Sequence, residues 1–394
     1  MSHNYKTIQL AKGKEHSVKR FHPWVFSGAI KRMDENINEG DLVKILSAQN
    51  EVLGIGHFQK GSIAVRILTF KDEIIDQKFW NEKINSAYQT RINTGIANNN
   101  NLNVYRLVFA EGDNLPGLII DMYNGTAVVQ AHSIGMYHAI NEITEALKNI
   151  LKENLKAVYD KSKETLPLSY SEKISNRYLF GNAVTNEVNE YGNKFKIDWI
   201  NGQKTGFFID QRENRKLLGE YCKDKKVLNT FCYTGGFSVY ALNAGATEVH
   251  SVDISEKAIQ LTDENVALNK FNNHKSFAVD VFDFLKNADT DYDVIVLDPP
   301  AFAKSRKVSH NAVQGYKRIN VMAIKKIKKG GILFTFSCSQ AINRTLFYNT
   351  IISAAIESGR TIRVLHHLSQ PADHPVNIYH PEGEYLKGLV LYIE

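Results

Sequence analysis

"NTFCYTGGFSVYAL", Asn229–Leu242, decides how the second half of this chain is read. The apolar run that leads into it, "KVLNTF", has the character of a buried strand. After the turn the sequence enters the next helix. Gly235 and Gly236 permit a tight turn there and let a ligand approach the backbone where that helix starts. Strand, glycine turn and helix open a doubly wound sheet, in which ligands sit beyond the carboxyl ends of the parallel strands.

The same alternation continues outward. "EVHSVDI", "KSFAVD", "YDVIVLDPP", "GILFTFSCS", "TIRVLHH" and "KGLVLYI" follow as strands, with helical patterns between the first five of the series. This α/β region is expected to span 191–394. Its second strand ends in Asp253, placed to accept hydrogen bonds from ribose hydroxyls, and its third in Asp280, suited to an adenine amino group. A dinucleotide site would want G-x-G-x-x-G to seat a pyrophosphate, and that motif is absent. S-adenosylmethionine carries no phosphate, bears a positive sulfonium and tolerates an acid-rich cleft. The glycine pair, Asp253, Asp280 and "LDPP" together therefore favour a methyl donor.

Two strand ends carry the remaining chemistry. Asp298-Pro299-Pro300-Ala301-Phe302 resembles the short D/N-P-P-aromatic loop of methyltransferases that act on nucleic-acid bases. The prolines stiffen the turn and fix the Asp298 carboxylate. Phe302 either stacks on a base or fills core. In "TFSCS", Cys338 sits between two serines at the end of an apolar run. Carbon 5 of a pyrimidine is too weakly nucleophilic to take a methyl group directly. A thiolate that adds to carbon 6 turns the ring into an enamine-like nucleophile, which is covalent catalysis and requires an activated cysteine. Methylation of an exocyclic amine or of guanine N7 needs no cysteine. Cys338 is thus the nucleophile if the target is pyrimidine carbon, and otherwise a packed thiol.

The first 190 residues read differently. "DLVKIL", "EVLGIGHF" and "SIAVRILTF" are β-rich with Gly, Asn and Ser turn chemistry between them, so 1–70 is expected to be a small nucleic-acid-binding β-barrel. Within it, Ala11–Arg32 carries six basic residues, Lys19 and Arg20 among them, against Glu15 alone. Phe21, Trp24 and Phe26 are interleaved, the pattern of an RNA-contacting arm, or else of a solvated basic edge beside an aromatic core. From 71 to 190 an amphipathic helix over "DQKFWNEKINSAYQTRI", an antiparallel meander and a second helix from about Met136 to Glu153 predict an α+β domain.

Composition bounds these readings. The 394 residues are 43% hydrophobic and 23% charged, which is the composition of a folded protein with more than one domain. No apolar run approaches the roughly 18 residues of a membrane span, and the start lacks a signal peptide's charged-then-apolar build. Cys222, Cys232 and Cys338 form no C-x-x-C pair, so no metal site is expected and a reducing cytoplasm is.

Seven segments, in order along nearly the whole chain, carry a family resemblance: "HPWVFSGAI", "AEGDNLPGLIIDMY", "GQKTGFFIDQRENR", "NTFCYTGGFSVYA", "LDPPAF", "FSCS" and "HPEGEYLKGLVL". The sequence resembles the bacterial 23S rRNA (cytosine-5-)-methyltransferases with an N-terminal PUA domain. The resemblance implies a PUA barrel, a central α+β domain and a Rossmann-like class I methyltransferase domain. It makes Cys338 the nucleophile, Asp298 the base-holding acid, and Asp253, Asp280 and Tyr233, Thr234, Gly235 and Gly236 the donor site. By the same resemblance Phe208, Asp210 and Gln211 line the donor pocket and Lys204 meets an RNA phosphate. Lys304 and Arg306, in a basic run that follows the "DPPAF" loop, are placed to grip RNA flanking the target. Some RNA cytosine-5 enzymes carry a second cysteine in a D-x-P-C loop. Here Asp298-Pro299-Pro300 lacks it, which leaves release to Asp298 or water, with Cys232 as a further candidate. The implied partner is 23S rRNA, naked or in an assembling large-subunit particle, and a C-terminal surface strand offers pairing in a homodimer. A guanine methyltransferase of the same fold, a uracil carbon-5 enzyme and a non-catalytic assembly factor are the alternatives.

Overall fold

The computed structural model describes residues 5–288, 291–302 and 309–394. The chain forms two compact units. One comprises the residues up to Val188 with Ile197–Phe207 and Ala372–Gly383; the other comprises Asn189–Lys196, Phe208–Pro371 and Glu384–Glu394. Among the described residues no helix is long and apolar enough to cross a membrane.

The first unit holds two sheets. The N-terminal one has six strands, in the order Trp24–Phe26, Ile63–Thr69, Val52–Phe58, Leu42–Leu46, Lys6–Leu10 and Ile30–Met33. Ile8, Leu10, Val25, Val43, Ile45, Val65 and Ile67 form its buried core. The three strands read from sequence are present. The other three are only three to five residues long, too short to show an alternation. They change the reading of the basic stretch, which is no free arm: it folds as the helix His16–Lys19 and two of these strands.

The second sheet runs Arg177–Gly181, Ala157–Asp160, Thr126–Ala131, Leu118–Tyr123 and Val104–Phe109, and the last three are the expected antiparallel meander. Helix Gln77–Asn93 begins where Asp76 accepts a hydrogen bond from the Phe79 amide. The single helix expected from about Met136 is instead Ile134–His138 and Ile140–Leu151. Ser133 caps the first, and Ala139, at ψ 10°, leaves helical geometry between them. In the same unit the fully buried Arg91 is held by the Asp113 carboxylate and donates to the carbonyls of Arg106 and Asp373, both at 2.8 Å.

The second unit carries a seven-stranded sheet: Lys226–Thr230, Glu248–Asp253, His274–Ala278, Tyr292–Leu297, Ile327–Ser337, Ile362–Leu368 and Lys387–Ile393. Counted along the chain, their spatial order is 3-2-1-4-5-7-6. The first five are mutually parallel, and the seventh lies antiparallel between the fifth and the sixth. Val294, Ile295, Val296 and Leu297 are all buried, as a central strand covered on both faces requires. The C-terminal strand is therefore no exposed pairing edge. It is hydrogen-bonded on both sides, and Ile362–Leu368 forms that edge of the sheet.

Removing one partner of a buried ion pair strands the other charge, which costs about 3–5 kcal/mol. Arg91→Ala should lower stability by that amount in urea denaturation, because Asp113 keeps its charge in the core. A loss under 1 kcal/mol would mean that solvent already reaches the pair.

Candidate active site

Parallel register sets the place of the site. Thr230 pairs with Leu297, Leu297 with Thr335, and Thr230 with Val252. The glycine loop, Asp253, Asp298 and Cys338 consequently emerge at one edge of the sheet. The spatial order reverses between the first and fourth strands, and the glycine loop and the Asp298 loop flank that switch point.

The glycine loop is strained. Phe231 and Tyr233 have φ of 54° and 45°, and Gly235 has 74°, so every second residue is left-handed and two of them carry side chains. Side chains around the loop hold it there. Asp253 Oδ2 accepts from the Tyr233 amide at 3.1 Å, Thr262 donates to the Tyr233 carbonyl at 3.0 Å, and Asn265 donates to the Thr234 carbonyl at 2.9 Å. A Cβ on Gly235 would lie 2.7 Å from Thr262 Cγ2, and one on Gly236 would lie 2.9 Å from Arg215 Cδ. Arg215 is itself fixed by two 2.8 Å hydrogen bonds to the buried Glu190 and donates to the Phe208 carbonyl at 2.8 Å. Asp280 lies just beyond the third strand, exposed, and caps helix Val281–Asn287 by accepting from the amides of Phe282 and Asp283.

Asp298 is half-buried at the end of the fourth strand, with its Oδ2 accepting from Gln211 Nε2 at 3.0 Å. Asn214 in turn holds Gln211 Oε1 at 2.7 Å. Burial, then the charge of Asp210, lifts the Asp298 carboxyl to about 7, so it holds a proton for much of the time near neutrality. Asp210 takes the Tyr385 hydroxyl on Oδ2 at 2.5 Å, while its buried Oδ1 has no partner among the described residues. Cys338 is half-buried past the fifth strand. Burial pushes its thiol up to about 12, with the charges of Asp298 and Asp210 adding to the rise. Lys387, 5% exposed, donates to the carbonyls of Ser339 at 2.7 Å and Ile342 at 2.6 Å in the loop that Cys338 opens.

The glycine cradle, the carboxylate of Asp253 and the unpartnered oxygen of Asp210 fit a cationic, nucleoside-bearing ligand. Asp298 and Cys338 supply an acid and a nucleophile to a second reactant. Sequence reading named Phe208, Asp210, Gln211, Tyr233, Thr234, Gly235, Gly236, Asp253, Asp298 and Cys338, and all of these fall in the second unit. It missed Arg215, Thr262, Asn265, Tyr385 and Lys387, which act on those residues from distant parts of the chain. Tyr385 and Lys387 lie in "HPEGEYLKGLVL" and Arg215 closes "GQKTGFFIDQRENR", segments that assign them no roles, while Thr262 and Asn265 fall in no quoted segment.

The other named residues lie elsewhere. Lys204 is exposed and, like Lys19, Arg20 and Trp24, belongs to the first unit. Lys19 faces Glu51 at 3.3 Å and Arg20 is exposed. The Trp24 indole N–H donates to Glu111 at 2.8 Å, and its ring packs edge-on against His380. Phe302 packs on Tyr316, with ring centroids 4.7 Å apart. Lys304 and Arg306 lie outside the described residues. Cys222 and Cys232 are buried, and burial pushes the Cys232 thiol up to about 12. His22, His380 and Glu382 have the spacing for a cation. However, His22 Nδ1 accepts the Trp24 amide at 3.2 Å, so the ring proton sits on Nε2, which faces Glu382 as a donor rather than a ligand.

Gly235→Ala should weaken binding of S-adenosylmethionine at least tenfold in calorimetry, because an alanine at φ 74° is strained by about 1–2 kcal/mol before it meets Thr262. Unchanged affinity would remove the loop from the donor site. Asp298 also predicts a pH effect. Its folded pKa lies above the ordinary 3.8, so between pH 3.8 and about 7 the folded protein keeps a proton that the unfolded chain has lost. Its contribution to stability thus declines as pH rises through that window, and Asp298→Asn should abolish the decline in denaturation curves. An unaltered pH dependence would place the carboxylate in water.

The chain matches two family models: a PUA-like domain at residues 8–70 and an S-adenosylmethionine-dependent methyltransferase at residues 114–379. It is 39% identical to the ribosomal RNA large subunit methyltransferase I of Aeromonas hydrophila, covering 98% of both chains. It is 38% identical to the protein of the same name from Escherichia coli strain SMS-3-5, covering 97% of this chain and 98% of that one. Among solved structures, SMU.776, a protein crystallised with SAH, superposes with a TM-score of 0.83 at 22% identity, over 98% of this chain and 99% of that one. Trm5b from Pyrococcus abyssi superposes with a TM-score of 0.52 at 20% identity, over 70% of this chain and 74% of that one. With its glycine cradle, its acid-rich strand ends and these likenesses along its length, the chain belongs to the S-adenosylmethionine-dependent methyltransferases that carry an N-terminal PUA-like domain.

Proposed function

We propose that the protein methylates carbon 5 of a cytosine in 23S ribosomal RNA, with Cys338 as covalent nucleophile and Asp298 as the acid that holds the base. The observation that carries this reading is a cysteine at the end of the fifth strand, within the electrostatic reach of an aspartate at the end of the neighbouring fourth. A methyltransferase acting on a nitrogen has no use for that thiol. The names of relatives at 38–39% identity support ribosomal RNA of the large subunit as substrate.

S-adenosylmethionine, when bound, supplies an electrophilic methyl group on a positively charged sulfur. The protein's own residues prepare the acceptor. The Cys338 thiolate forms a bond to carbon 6 of the cytosine, and Asp298 gives its proton to ring nitrogen 3 as electron density moves to carbon 5. A carboxyl that titrates near 7 is matched to that exchange at neutral pH. After methylation the proton on carbon 5 leaves to Asp298 or to water, the bond to Cys338 breaks with its electron pair returning to sulfur, and nitrogen 3 gives its proton up to water. The Cys338 thiol of the free protein is far from ionised. Removing the negative charge of Asp298, by protonation, favours the thiolate.

In this reading 191–394 is the methyltransferase domain, 71–190 a central domain, and 1–70 an RNA-holding barrel in which Lys19, Arg20 and Trp24 take part. Phosphate contacts of that kind weaken with salt.

Nucleoside mass spectrometry of 23S rRNA incubated with donor tests the proposal. 5-Methylcytidine is expected with the wild type, and none with Cys338→Ala. Methylguanosine from both proteins, or 5-methylcytidine from the variant, would overturn it.

A further inference from the structure

Lys387 is a buried lysine that the proposed mechanism has not used. It opens the last strand, inside the sheet, and its backbone pairs with Ser337 just before the nucleophile. The residue is 5% exposed, and its ammonium is spent on the carbonyls of Ser339 and Ile342. Those carbonyls fall one and four residues after Cys338, so the side chain staples the loop that presents the thiol. Two residues earlier, Tyr385 donates to Asp210, so one short segment reaches both sides of the site. Burying an ammonium that only closes a loop is expensive, and a neutral side chain could close it at less cost.

We infer that Lys387 is a positioning residue for methyl transfer: it holds the Cys338 loop in place and supplies the positive charge that stabilises the Cys338 thiolate. The inference rests on Cys338 being the nucleophile. The charges acting on Cys338 are Asp298 and Asp210, which oppose its ionisation, and Lys387, which favours it. Around Lys387 stand Arg344 and Glu384, which are paired with each other. Without Lys387 the thiolate would feel the charge of Asp210, and that of Asp298 whenever it is ionised, with no compensating charge from this segment.

The pairing has a signature that a packing role lacks. Burial lowers the Lys387 ammonium to about 8, so the lysine is charged at pH 7 and neutral well above pH 8. The test is the rate at which iodoacetamide alkylates Cys338 in the free protein as pH is raised, read on the Cys338 peptide by mass spectrometry. Wild-type protein should show a break near pH 8, because the thiol loses its cationic neighbour there. At pH 7 it should react roughly three- to tenfold faster than Lys387→Gln, the change that half to one unit of thiol pKa brings. That advantage should vanish at higher pH. Lys387→Arg, charged throughout, should lack the break near pH 8 and keep the advantage, the titration of Asp298 near 7 being common to all three proteins. A wild-type profile without a break overturns the inference even if neither variant folds, and so do superimposable wild-type and Lys387→Gln profiles. Because no RNA enters this assay, its failure leaves the nucleophile reading standing. Methylation by Cys338→Ala would sink that reading, and the role of Lys387 in methyl transfer with it.

Discussion

The parallel register that sets Thr230, Leu297 and Thr335 side by side is the constraint on which the site depends. Three strands that end level with one another deliver a glycine loop, an aspartate and a cysteine to one edge of the sheet. A shift of one residue in any of them would turn its side chains to the opposite face and carry its functional end with them. Continuous burial of Val294–Leu297 on both faces, and the packing of Leu333, Ile295 and Leu228 in one core, hold that register.

What the register assembles is unfavourable by itself. Phe231 and Tyr233 sit in left-handed backbone, half-buried Asp298 feels the charge of Asp210, and the Cys338 thiol lies within the electrostatic reach of both. Each feature is stabilised by a neighbour from elsewhere in the fold: Asp253, Thr262 and Asn265 for the loop, Gln211 for Asp298, Tyr385 for Asp210 and Lys387 for the loop that begins at Cys338. Strain and perturbed titration gathered at one sheet edge are what a reactive site looks like when the surrounding core can bear the cost.

Much of this was legible because its causes are local. All seven strands of the catalytic sheet announce themselves as short apolar runs, and Gly235, Asp253 and Asp298 stand at their ends, where turn chemistry is readable. The supporting residues were not legible. Lys387 and Tyr385 look like ordinary positions in a strand and its approach, and only tertiary pairing brings them to Ser339 and Asp210. The enclosure of the last strand likewise depends on strand order, which no local pattern encodes. Trp24 makes the same point: its indole N–H is committed to Glu111, 87 residues away, a pairing that no local pattern encodes.

The central claim is a covalent bond between Cys338 and the target cytosine. RNA carrying 5-fluorocytidine tests it most directly, because fluorine in place of the carbon-5 proton blocks the elimination that would release the enzyme. Incubated with donor and protein, it should yield a complex that survives denaturation, with the nucleotide on the Cys338 peptide. No stable complex, or one attached to another residue, would contradict the account.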